Sequence, residues 1–299
     1  MKPNIEDVGK VLNDTSQSLC TRFRALFMLK NLGGDDSVNE ITRCLMANLN
    51  GSDLLNHELA YCLGQMQNTT ALDTLNLVLD NTSNSTITRH EAAEALGAIG
   101  CRQSLEILAK YKNDPIQAVS ETCQLAYERI ISSENEKLSF SDGAPYKSYD
   151  PVLPSKCLNN DNLESLEATL LNCSLSLYKR YEAMFVLRDM NTPQAALVIA
   201  KGLKSPGSAL FRHEIAFVLG QMQLEATVPM LIESLSDVKE NCMVRHECAE
   251  ALGSIADEKC LSVLHKFKND PSDVVKESCV VALDMYEYEN STEQFHYAI

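Results

Sequence analysis

The chain has 299 residues, 45% of them hydrophobic, and a formal charge of -15 at pH 7. That length supports a sizeable core, in one large domain or two ordinary ones. The acidity argues against a nucleic-acid binder, which needs a basic face for phosphate, and suits a cationic partner.

No window approaches the roughly 18 apolar residues that span a membrane, so no membrane partner is expected. The N-terminal "MKPNIEDVGKVLND" lacks a basic-then-apolar signal, and "EQFHYAI" at the other end is no lipidation or retention signal. A cytoplasmic location is expected. There are eleven cysteines and no CxxC spacing. They read as reduced core thiols, not as a disulfide or zinc framework.

In chain order, "TRFRALFMLKNL" (21–32) comes first, and "KRYEAMFVLRDM" (179–190) resembles it 158 residues on. Next come "LNHELAYCLGQM" (55–66) and "ITRHEAAEALGAIG" (87–100). Their relatives are "FRHEIAFVLGQM" (211–222) and "MVRHECAEALGSIA" (243–256). "KYKNDPIQAVSETC" (110–123) is matched by "KFKNDPSDVVKESC" (266–279). His57 to His90 and His213 to His246 are both 33 residues, and each member of the first pair lies 156 before its partner in the second.

These offsets describe two homologous halves of four repeats each. Apolar residues recur at three- and four-residue steps, as in "ALDTLNLVL", so each repeat reads as a helix pair. Gly64, Gly97, Gly220 and Gly253 are expected late in their helices or just past them. Asp114-Pro115 and Asp270-Pro271 are expected to open a helix with Pro at its first position. The fold class is all-α: a solenoid of eight short helix-pair repeats in two pseudo-symmetric halves. The expected boundaries are 1–131 for the N-terminal half, 132–156 for a polar, proline-bearing linker loop, and 157–299 for the C-terminal half.

Four of the six histidines sit in His-Glu pairs. On a wheel of about 100° per residue with His at zero, the apolar +2, +3, +6 and +9 positions centre near 230°. The His-Glu pair centres near 50°, opposite that stripe. Position -3 (Leu54, Ile87, Leu210, Met243) and position +4 (Tyr61, Glu94, Phe217, Glu250) share the His-Glu face. Large apolar groups there suit the wall of a partly dry pocket. The first and last repeats of each half carry Phe23-Arg24, Ser120-Glu121, Tyr181-Glu182 and Lys276-Glu277 at about the matching places. The repeat fold therefore does not require His-Glu.

Adjacent repeats should set His57-Glu58 beside His90-Glu91, and His213-Glu214 beside His246-Glu247. If the halves face each other, four His and four Glu surround two metals. Four clustered glutamates without cations would repel one another. Nitrogen and oxygen donors without thiolate favour iron or manganese and allow zinc. HExxH is absent, because position +4 is never His. His265 and His296 read as solvated or structural. A dinuclear-metal hydrolase and a non-catalytic binding scaffold are the alternatives.

Two halves of four short HEAT-like repeats, with "HE-x-A-x-x-L-G" on the two inner repeats of each, closely resemble deoxyhypusine hydroxylase. The resemblance covers 10–290. It implies a non-haem di-iron mono-oxygenase, with two Fe2+ ions, O2 as co-substrate and an external reductant. Its partner would be a protein, the precursor of the hypusine-containing translation initiation factor, whose deoxyhypusine side chain is hydroxylated to hypusine. By motif match the iron ligands would be His57, Glu58, His90, Glu91, His213, Glu214, His246 and Glu247. Two His and one Glu already fill a facial triad, so one Glu per half can sit beside the metal or bridge. Glu94 and Glu250 are candidates to hold the ammonium groups of the substrate arm.

Overall fold

The computed structural model describes residues 3–48, 51–135, 146–152, 158 and 162–291. Among them every regular element is helical. The chain divides into two compact units, residues 1–153 and 154–299. The first holds the pairs α1 (Ile5–Asn13) and α2 (Leu19–Leu32), α3 (Gly34–Asn48) and α4 (Asp53–Gln65), α5 (Leu72–Asp80) and α6 (Thr86–Ile99), α7 (Leu105–Tyr111) and α8 (Gln117–Asn135). The second holds α9 (Leu163–Leu171) and α10 (Leu177–Met190), α11 (Pro193–Ala200) and α12 (Ala209–Met222), α13 (Val228–Ser236) and α14 (Cys242–Ile255), α15 (Cys260–Phe267) and α16 (Asp273–Glu289). No helix among the described residues is long and apolar enough to cross a membrane.

Five of the eight second helices, α2, α4, α6, α10 and α12, start on the same local signal. Ser18, Ser52, Ser85, Ser176 and Ser208 each accept a hydrogen bond from the backbone N–H three residues on. That satisfies a donor the helix itself cannot. The second helices pack on one another, α4 on α6 on α8 and α12 on α14 on α16.

Glycine sets how closely they pack. A Cβ on Gly64 would lie 2.8 Å from Ala95 Cα, and one on Gly97 2.9 Å from Ala126 Cα. The corresponding distances are 3.0 Å from Gly220 to Ala251 and 2.6 Å from Gly253 to Ala282. The Leu-Gly of the motif is therefore a backbone contact inside the last turns of the helix, not a helix stop.

A buried arginine ties four of the eight pairs together, α1 to α2, α5 to α6, α9 to α10 and α13 to α14. Arg22, Arg89, Arg180 and Arg245 donate from Nε to the carbonyls of Leu12, Leu79, Leu170 and Leu235, always ten residues back, at 2.8–3.0 Å. These carbonyls end the first helix of the pair and lack intrahelical partners. The other arm of Arg89 reaches Asp114 Oδ2 at 2.7 Å, and that of Arg245 reaches Asp270 Oδ2 at 2.6 Å. Asp114 Oδ1 also accepts from Ile116 N, and Asp270 Oδ1 from Ser272 N. The Asp-Pro steps are thus aspartate turns lying before α8 and α16. Proline is not the first helical residue, because the aspartate is held back by the arginine of the preceding repeat.

Breaking a buried charge pair leaves the other charge uncompensated, at a cost of about 3–5 kcal/mol. Arg245→Ala is expected to lose that much in a urea melt. Burial raises the Asp270 pKa, but hydrogen bonds from Arg245 and the Ser272 amide outweigh it and hold the carboxyl below its ordinary 3.8. The pair's stabilisation is therefore present above 3.8 and lost as pH falls through the depressed value. Arg245→Ala should flatten that acid limb.

The segment expected as a linker is described only in part. Helix α8 runs to Asn135, and 136–145 and 153–156 lie outside the described residues. Residues 146–152 fold onto the N-terminal unit. Gln65 exchanges two hydrogen bonds with the Tyr149 backbone, at 2.9 and 3.1 Å, and Arg129 Nε donates to Asp150 O at 2.7 Å.

Candidate metal centre

All eight His-Glu residues are buried, between 0 and 6% exposed. The wheel expectation sets the pair off the +2, +3 and +6 stripe. It needs one physical correction: that face is where neighbouring second helices meet. Gly at +7 falls within about 20° of His, and Ala at +5 within about 40° of Glu. Since Gly64 packs on Ala95, the His flank of α4 adjoins the Glu flank of α6. His57 Nε2 accordingly lies 3.2 Å from Glu91 Oε2, and in the second unit His213 Nε2 lies 3.3 Å from Glu247 Oε2. The imidazoles pair likewise, His57 with His90 at 5.4 Å between ring centroids and His213 with His246 at 5.2 Å.

In the N-terminal unit, His57, His90 and Glu91 bring one ligand atom each within 4.8 Å of one another. In the C-terminal unit His246, Glu247 and Glu250 do the same. Glu58 Oε1 lies on the other side of His57, 3.0 Å from Nδ1. Glu214 is 1% exposed on the same helix as His213. The -3 residues Leu54, Ile87, Leu210 and Met243 are all buried, and Tyr61, Glu94, Phe217 and Glu250 at +4 are all half-buried. His265 is exposed, and His296 lies outside the described residues.

The same glycine contacts fix the register of the last helix in each unit. Gly97 meets Ala126 and Gly253 meets Ala282. Counting back five residues puts Glu121 and Glu277 at the His place, and Thr122 and Ser278 at the Glu place. The sequence match set these one residue too early. The step from His90 to Glu121, and from His246 to Glu277, is 31 residues against the 33 between His57 and His90, so the repeat spacing alone does not place them. Nothing in the sequence singled out Ser278.

Ionisation is shaped by this crowding. Burial opposes a charge on His57, yet the Glu91 carboxylate and the Glu58 hydrogen bond outweigh it and hold the imidazole well above its ordinary 6.5. Burial, then the Glu91 charge, pushes the Glu94 carboxyl well above 4.5. Burial also pushes up the thiols of Cys62 and Cys248, the latter to about 12, so both stay protonated. The donors on offer are nitrogen and oxygen. That set fits an iron-type cation of the two-His, one-carboxylate kind. A metal must compete with the His57 proton. Metal affinity of the metal-free protein is therefore expected to fall as pH is lowered from about 8 to about 6. An affinity that stays flat across that range in metal titrations would contradict this.

Residues 196–284 match the family model described as HEAT repeats, and 88–114 that of the PBS lyase HEAT-like repeat. Over 298 residues the chain is 51% identical to the deoxyhypusine hydroxylase of Danio rerio, spanning 99% of this chain and 95% of that one. The chain belongs to the deoxyhypusine hydroxylase family. The human deoxyhypusine hydroxylase is 48% identical over 98% of this chain and 94% of its own length. The solved structure of the human deoxyhypusine hydroxylase in complex with glycerol superposes with a TM-score of 0.90, covering 95% of this chain. The eight-repeat helical fold is that of the family, and family membership makes the chain an enzyme, not a binding-only scaffold.

Proposed function

We propose that the chain hydroxylates the deoxyhypusine side chain of a translation initiation factor precursor, using one iron ion in each unit. His57, His90 and Glu91 would hold the first ion, and His213, His246 and Glu247 the second. Glu58 and Glu214 lie beside them, Glu58 on the Nδ1 face of His57. The observation that carries this reading is the duplicated approach of His Nε2 to the Glu of the next repeat, at 3.2 and 3.3 Å. Like charges at such sites are tolerated when a cation balances them.

Bound iron supplies the activation of O2, with electrons from an external reductant. The chain's own residues do the rest. Glu58 holds His57 at Nδ1 and leaves Nε2 turned toward Glu91. Leu54, Ile87, Leu210 and Met243 keep water from the His-Glu face, where a C–H bond must be attacked in preference to solvent. The substrate arm carries ammonium groups, and the half-buried Glu94 is positioned on that face to bind one.

Metal analysis of the purified protein tests the reading. About two irons per chain, with O2 consumed only when a deoxyhypusine substrate and reductant are present, is the expected result. Zinc alone, or turnover without O2, would favour a hydrolase and sink it. Glu94→Gln should raise KM for substrate and leave iron content unchanged. Lost iron would place Glu94 among the ligands.

A further inference from the structure

Position +1 of α6, α14 and α16 turns toward the preceding second helix. In α6 and α14 that residue is a glutamate, which meets a histidine directly. In α16 it is Ser278, which is fully buried. Ser278 Oγ donates to Glu250 Oε1 at 2.9 Å, and the same Glu250 oxygen lies 3.3 Å from His246 Nδ1. Serine is too short to span that gap alone, and Glu250 at +4 completes it. The result is a relay from α16 through Glu250 to an imidazole that is itself 0% exposed.

We propose that Ser278 and Glu250 are positioning residues for His246, fixing it as the tautomer with its proton on Nδ1 and its Nε2 lone pair available to metal. This rests on the metal reading above and concerns only the second ion. A carboxylate accepts and does not donate, so the proton of the Glu250–His246 bond belongs to Nδ1. Glu250 Oε1 faces two donors, Ser278 Oγ at 2.9 Å and His246 Nδ1 at 3.3 Å, so the serine holds the oxygen that meets the imidazole. Partners of this kind orient ligand histidines and raise their basicity.

The N-terminal unit is built differently. Thr122 fills the place of Ser278, but its hydroxyl donates to Ala118 O of its own helix at 2.8 Å. The nearest matching role there is played by Glu58, on His57 rather than on His90. In the N-terminal unit the carboxylate met at Nδ1 is that of the adjacent Glu58, and in the C-terminal unit it is Glu250, held by Ser278.

The test is an anaerobic Fe2+ titration of metal-free protein, read as two binding steps. Ser278→Ala and Glu250→Gln should each weaken one step about 10–100-fold and leave the other unchanged. Thr122→Val should alter neither step. Nitrogen NMR of the metal-free protein should show His246 protonated at Nδ1 in the wild type and a mixture of tautomers in Ser278→Ala. Ser278→Ala with both steps at wild-type affinity overturns the inference while the metal reading stands. So does a wild-type His246 protonated at Nε2. Wild-type protein that takes up no iron overturns the metal reading and this inference with it. A chain with Ser278→Ala that fails to fold transfers the decision to Glu250→Gln, which keeps the side chain's shape.

Discussion

Glu91→Gln is expected to remove one of the two irons and to lower hydroxylation by more than about a hundredfold. Glutamine matches glutamate in shape, so the packing of α4 on α6 is retained. What is lost is the negative charge 3.2 Å from His57 Nε2. Partners of metal ligands are worth about 10–100-fold, and a direct ligand should exceed that. A second effect follows from the same charge. Glu91 helps hold the His57 imidazole well above 6.5, against a burial that lowers it. Without Glu91 the His57 value should drop, a shift that NMR titration of the metal-free variant reads directly. Glu247→Gln is the matching variant in the other unit, where His213 Nε2 lies 3.3 Å from the carboxylate. Iron analysis that finds two ions in either variant would remove that glutamate from the ligand set.

Much of this site was legible in the sequence, for a physical reason. His-Glu is rare in the chain and absent from the outer repeats, so its fourfold recurrence separated it from the residues the helices need. The repeat unit was legible because amphipathic periodicity and a duplication report the same spacing twice. The partners of these residues were not legible. That His57 meets Glu91 as well as Glu58 depends on which flank of α4 adjoins α6, and that is decided by Gly64 against Ala95. A wheel drawn for one helix contains no neighbour. Ser278 was hidden because the step into α16 departs from the 33-residue repeat, and its place is fixed only by Gly253 against Ala282. The arginines preceding His90 and His246 are 1% and 4% exposed and clamp their helix pairs, a role that the helix periodicity does not announce.

The glycines join packing to chemistry, and they give the second large expected effect. Alanine at a helical glycine ordinarily adds about 1 kcal/mol of stability, since it is the better helix former. Here the sign should reverse. A Cβ on Gly253 would lie 2.6 Å from Ala282 Cα and 2.9 Å from Ala282 O. These are backbone atoms, so no side-chain rotation relieves the contact and the helices must part. Overpacking of this kind costs about 1–3 kcal/mol and occasionally more, and Gly253→Ala belongs at the top of that range. Gly64→Ala should follow at 2.8 Å, and Gly220→Ala, at 3.0 Å, should be mildest. Ala282→Gly should not rescue Gly253→Ala, because the clash is with main chain. Urea midpoints order the series, and any member as stable as the wild type would mean that the helices slide apart at no cost. Gly64→Ala carries a further readout. It widens α4 from α6, and with it the His57–Glu91 approach, so its metal affinity should fall by more than its lost stability explains. Gly97→Ala, between α6 and α8, is the control: it should destabilise comparably and spare that pair.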